Sequence, residues 1–308
     1  MSDNGDARNS GSGPLAGAEP SFRRRAVSKF LRNRVAVAGL IILLLIVSSS
    51  ILSILAGAPD SAEIDLDRSL EPPSLRHPFG TDAFGRDLLI RVLQGGRVSL
   101  SVGFAARTIS LVLGLLFGTL AGFYGGKVDS ILMRLADITF SFPTLLLLIA
   151  IMAVASPGLI SLFTALGVVG WAALARLVRA QVLSVRQREY VQAARAAGAS
   201  DLKIITRYIL PQCISPVIVV YTLGLGMTVM AESSLSFLGL GVQPPVPSWG
   251  RMISGGIAFM RTAPWLTLFP GLVLTLTISS LNLVGDGLRD ALDPSIVRGF
   301  KGLGRMKL

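Results

Sequence analysis

Cysteine and histidine occur once each in 308 residues, as Cys213 and His77. A lone thiol excludes a disulfide within the chain, and the pair excludes a Cys/His metal cluster. Charge is also scarce. Asp, Glu, Lys and Arg together make up 15%, against 51% hydrophobic residues, and mean hydropathy is +0.64. A soluble domain carries about 25% charge, so the balance points to a multi-spanning membrane domain. Acidic residues are the scarcer sign, 18 against 29 basic, for a net charge of +11. Cationic cytoplasmic loops account for that surplus without a nucleic-acid partner. Signatures of nucleotide and metal chemistry are missing too. The nearest imitation of a phosphate-binding loop is GFYGGKV at 122–128. There Ala121 stands where the first Gly is needed and Val128 where a Ser/Thr hydroxyl must meet Mg²⁺. No H-E-x-x-H occurs. No catalytic, cofactor or metal residue is expected in this chain.

Residues 1–21 are rich in Gly, Ser, Asp and Asn and predict a disordered tail. Six cations follow between Arg23 and Arg34, then an apolar run from Val35 to Ala56. The arrangement imitates a signal peptide, but an h-region takes roughly 7–15 residues. The segment 22–58 therefore reads as a basic stretch and an uncleaved first span.

A helix rises ~1.5 Å per residue, so ~20 apolar residues cross the bilayer core. Six segments qualify: 35–57, 98–123, 138–156, 159–177, 217–239 and 265–284. The fold class is all-α, an integral membrane protein with six spans. Residues 59–97 form an outer loop, 98–295 the rest of the membrane core and 296–308 a tail. An even count puts both termini on one side. Positive residues choose the cytoplasm, because few Lys or Arg lie in 58–97 and 240–264.

Several features carry alternatives. Ala106, Ser110, Gly114, Gly118, Gly122 and Gly126 recur every four residues. They form a small-residue ridge for close helix packing, within one chain or between two. Pro143 and Pro270 are sites for kinks. Glu232 is an acidic residue ~22 Å along the fifth span. It is a candidate for the translocation path, or a packed carboxyl satisfied by Ser233, Ser234 or Ser236. Arg107, inside the second span, is expected to snorkel outward or pair with a carboxylate. In the outer loop, Thr81, Asp82, Arg86 and Asp87 predict a local polar network. The Pro-stiffened VQPPVPSWGRM at 242–252 suits contact with an external protein or anchoring at the membrane interface.

The longest basic loop contains EYVQAARAAGASDLKIITRYILP, residues 189–211. Alanines at 193, 194, 196 and 197 favour a helix with a smooth surface. Gly198 fits a left-handed C′ position, and Ser200 an N-cap with Asp201 behind it. Leu202, Ile205 and Ile209 fall on one face, and Pro211 is expected to end the second helix. The hairpin 187–211 would either dock into a cleft on a soluble partner or lie on anionic lipid.

This stretch resembles the coupling motif of ATP-binding-cassette importer permeases: Glu-Ala-Ala, three residues, Gly, then Ile-x-Leu-Pro. The match here is Gln192-Ala193-Ala194, Gly198 and Ile209-Leu210-Pro211. Gln192 takes the motif's Glu position, Ile209 abuts Leu210 directly, and Glu189 lies one turn before Gln192. Four further runs extend the likeness to the second membrane subunit of dipeptide, oligopeptide and nickel importers. They are HPFGTDAFGRDLLIRVLQGGRVSLSVG, YGGKVDSILMRLADITFSFP, AESSLSFLGLGVQPPVPSWGRM and LVGDGLRDALDPS. The resemblance implies the type I permease fold in a bacterial inner membrane, paired with a second homologous permease subunit. Two ATPase subunits would bind ATP and Mg²⁺ beneath, with Glu189, Gln192, Ala193, Ala194, Gly198, Ile209, Leu210 and Pro211 coupling to them. An extracytoplasmic binding protein would deliver a peptide substrate. Nickel or another small solute is the alternative cargo, and a channel or secondary transporter the alternative class.

Overall fold

The computed structural model describes residues 22–55, 64–156 and 158–292. The expected terminal tails 1–21 and 296–308 lie outside the described residues. Among the described residues the regular elements are helical. A short helix α1 (Phe22–Arg32) precedes α2 (Arg34–Leu55), and Asn33 sits at the elbow. Asn33 caps α2, its Oδ1 accepting from the Ala36 amide at 3.2 Å. Leu44 and Leu45 on α2 stay exposed, as on a helix that is apolar all round and meets lipid.

The second long helix, α3, spans Leu88–Tyr124. It starts ten residues before the expected 98, which shortens the outer loop. The reason is local. Asp87 caps the helix by accepting from the Ile90 amide at 3.0 Å, and Leu88 and Val92 are buried at once. Gly125, at φ 69°, ends α3.

The expected third span is broken. Helices α4 (Gly126–Ser141) and α5 (Thr144–Val154) meet at 92° across Phe142-Pro143. Pro143 lacks the amide that would carry the helix onward. Helix α4 is held to the next helix, α6 (Leu159–Arg186), by two ion pairs, Asp129 with Arg179 and Asp137 with Arg176. Among the described residues the bundle thus has five long apolar helices, or six spans if the bent pair crosses as one.

The hairpin helices α7 (Glu189–Ala196) and α8 (Asp201–Ile204) come next. Contrary to expectation, Pro211 does not stop the second helix. The chain passes through one π-helical turn, Ile205–Ile209, straight into α9 (Leu210–Phe237). Pro211 lies at the start of α9, directly behind the π-turn. After the outer segment, α10 (Trp249–Gly256) turns back onto the bundle. Helix α11 (Trp265–Leu292) then crosses without interruption despite Pro270.

The small-residue ridge of α3 packs within the chain, against α6. A Cβ on Gly114 would lie 2.5 Å from the Leu174 Cβ, and one on Gly122 would lie 2.8 Å from the Val182 Cβ. Ser110 Oγ donates to the Gly167 carbonyl at 2.9 Å. Gly126 falls outside this seam, in open space at φ 54°.

Candidate functional site

The hairpin grows out of the end of α6. Arg186 Nη1 donates to the carbonyls of Phe123 (2.6 Å) and Gly122 (3.3 Å), capping the C-terminal end of α3. Gln192 Nε2 donates to the Arg186 carbonyl at 3.2 Å, which ties α7 back to α6. A Glu at 192 would offer no such donor. Arg195 sits 5.5 Å over the Phe123 ring. Gly198 adopts φ 78°, as its C′ position requires, and the Ala199 amide bonds back to the Ala194 carbonyl at 3.1 Å. Ser200 has extended dihedrals, but its side chain makes no capping bond.

Burial sorts the candidate coupling residues. Ala194 is buried, and Ile209 packs with Val191 and Ile204 in one cluster with Phe123, Val182 and Cys213. Glu189, Gln192, Ala193, Gly198 and Pro211 are exposed, and Leu210 is half-buried. The expected apolar face is corrected as well. Ile204 and Ile209 are buried while Leu202 stands 72% exposed. Leu202 and the 43%-exposed Tyr190 give the hairpin two outward apolar knobs. Sequence reasoning missed both, because it placed Leu202 by helical phase and passed over Tyr190. The available surface is therefore a low Ala ridge flanked by Tyr190 and Leu202, with Arg188 and Arg195 also exposed. Such a surface fits a shallow cleft with an acidic rim.

Glu232 is fully buried, at 0% exposure. Ser236 Oγ donates to its Oε1 at 2.7 Å and Ser233 Oγ to its Oε2 at 3.2 Å. Ser99 on α3 is a third hydroxyl partner. Ser99 in turn accepts from the Trp249 amide at 3.4 Å, and Trp249 Nε1 donates to the Val92 carbonyl at 2.9 Å. Glu232 thus sits in a buried polar seam joining α3, α9 and α10. Ser234 is not a partner and bonds the Met230 carbonyl instead.

Arg107 does not snorkel. Its Nη2 donates to the Val220 carbonyl at 2.6 Å and its Nε to the Tyr221 carbonyl at 3.3 Å. The outer-loop network is present. Asp82 accepts from the Phe84 and Arg86 amides and from the Arg86 side chain, while Asp87 holds His77 Nδ1 at 2.8 Å.

Two cavities flank the bundle. One of about 740 Å³, at the hairpin end of α9, is lined by Gln181, Gln212, Ser215, Pro216 and Arg289 among others. Another of about 670 Å³ lies between the 64–87 loop and the α10 region. Among the described residues no three His, Cys, Asp or Glu side chains converge on a metal position.

Comparison with known proteins accords with this geometry. The sequence profile of the N-terminal TM domain of oligopeptide transport permease C matches residues 21–73. The dipeptide transport system permease protein of Alkalihalophilus pseudofirmus is 42% identical over 273 residues, 89% of this chain and 90% of that one. The oligopeptide transport system permease protein of Bacillus subtilis is 39% identical over 276 residues, 90% of each. Among solved structures, an inward-facing MetNI methionine ABC transporter chain aligns at a TM-score of 0.54 and 21% identity. It covers 67% of this chain and 96% of its own length, which places the fold with the type I importer permeases. The profile described as binding-protein-dependent transport system inner membrane component matches residues 114–298, and the chain belongs to that family.

Proposed function

We propose that this chain is one of two homologous permease subunits of an ATP-driven importer that brings di- or oligopeptides into the cell. Two ATPase subunits hold ATP and Mg²⁺ on the cytoplasmic side, and an extracytoplasmic binding protein delivers the peptide. Both termini face the cytoplasm, in line with the distribution of Lys and Arg. The observation that carries the reading is end-to-end similarity to permeases named for dipeptides and oligopeptides, covering about nine-tenths of both chains.

The hairpin supplies the mechanical link. It is continuous with α9 through the π-turn and tied to α6 and α3 by Gln192 and Arg186. A partner that closes on ATP moves the ridge of Ala193 and Ala197, and α6 and α9 move with it. The bundle then exchanges between inward-open and outward-open states as packed bodies. Glu232 takes its part by holding α9 to α3 and α10, next to the path.

The test is uptake by proteoliposomes carrying the complete complex. ATP-dependent accumulation of labelled peptide, competed by a peptide panel and absent without binding protein, is the expected result. Uptake that persists without the ATPases would make the chain a channel or secondary transporter. Competition by nickel but not by peptides would replace the cargo.

A further inference from the structure

The cavity of about 670 Å³ is stiff and chemically uneven. Pro244, Pro245 and Pro247 form part of its wall, with Phe84, Met252 and Phe259. The opposite loop is fixed by backbone bonds from Asp65 to Phe84 and from Leu70 to Asp82, at 3.0 and 3.1 Å. Phe79 stacks on Phe269 at 4.1 Å and pins the same loop to α11. A wall this well tied pays little ordering entropy when something enters.

The charge lining the cavity is Arg86, Arg91, Arg251 and Asp82. Asp82 serves both Arg86 (2.7 Å) and Arg91 (3.4 Å). Arg251 has no carboxylate within ion-pair distance among the described residues. It lies half-buried beside Gly239. A half-buried guanidinium, with the cavity's carboxylate already engaged by Arg86 and Arg91, favours an incoming carboxylate.

Of the residues lining the cavity, Ile64, Phe84 and Val246 are between 40% and 57% exposed. An exposed apolar rim does nothing for a solute contained within the cavity. It does fit a macromolecule that covers the opening and buries the rim.

We propose that this cavity receives an Asp or Glu side chain of the extracytoplasmic binding protein, with Arg251 as its partner and the Pro–Phe wall shielding the pair from water. The inference rests on the importer reading and adds the place and chemistry of contact.

The experiment uses the complete complex in nanodiscs and a labelled binding protein. Arg251→Glu is expected to weaken its binding by about tenfold or more and to flatten its salt dependence, while Arg251→Lys stays within about threefold. Arg251→Met serves if the Glu variant fails to assemble, and is expected to lose about three- to tenfold. Reversal of one acidic residue on the binding protein should restore the Arg251→Glu complex. Unchanged affinity and salt slope in both the Glu and Met variants overturns the proposal. So does an Arg251 effect seen only with anionic lipid in the disc, which would assign the cavity to a headgroup. Wild-type peptide uptake is read in the same preparation, so loss of the importer reading stays separate from loss of this contact.

Discussion

Arg107 and Val220 are joined across the bundle: the Arg107 Nη2 donates to the Val220 backbone carbonyl at 2.6 Å. The cation sits at 8% exposure on α3, and its partners on α9 are carbonyls rather than a carboxylate. Gly224 makes this fit. A Cβ there would collide with the guanidinium carbon of Arg107. An ionised group within a span is costly, so it is held where backbone dipoles can meet it.

Arg107→Met should therefore lower the stability of the purified complex by about 1–3 kcal/mol. Gly224→Ala should cost at least as much, because it displaces the same side chain. Thermal unfolding of the two single variants and the double variant checks this. The double should cost less than the sum, since both act on one contact.

Glu232→Gln keeps the shape but loses part of the acceptor capacity that the serine hydroxyls use. About 1–2 kcal/mol of destabilisation is expected, with an unchanged substrate range in a peptide-panel uptake assay. A changed range would show that Glu232 meets the cargo.

On the α3–α6 seam, Gly118→Ala places a Cβ 2.5 Å from the Ala175 carbonyl oxygen and 2.7 Å from the Val178 Cβ. The overpacking should cost about 1–3 kcal/mol. Gly271→Ala, in open space on α11, is the control. It should be neutral or stabilising by up to about 1 kcal/mol in the same melting assay.

The hairpin separates two kinds of defect. Ala193→Trp and Leu202→Glu alter exposed positions. They should leave thermal stability within about 0.5 kcal/mol while ATP hydrolysis no longer follows binding-protein addition. Ala194→Trp overfills a buried position and should lower stability as well. Paired measurements of melting temperature and stimulated ATPase activity distinguish the two.

Apolar run length located the membrane helices, and the spacing of alanines, Gly198 and Asp201 located the hairpin. Both signals are local and survive in any tertiary context. Direction was less legible. Hydropathy sums apolar content over 138–156 but carries no information about the 92° turn at Pro143. The start of α3 was hidden because LLIRVLQGGR carries two arginines and a Gly pair, and its apolar side is satisfied by Trp249 and α11 from far along the chain. The Ser99–Glu232–Trp249 seam also joins residues more than a hundred positions apart. The inward turn of Ile209 five residues after Ile204 follows the π-turn, which shifts the helical phase by one residue, and no local pattern announces it.

Because that turn leaves no gap, Asp201–Phe237 forms one unbroken column of 37 residues, roughly 55 Å tall. Swinging such a column by about 5° about its foot carries its head some ~5 Å sideways. A small tilt where the hairpin meets the column thus emerges as a displacement of about half a nanometre beside Gly239, wide enough to open or shut a passage of amino-acid width.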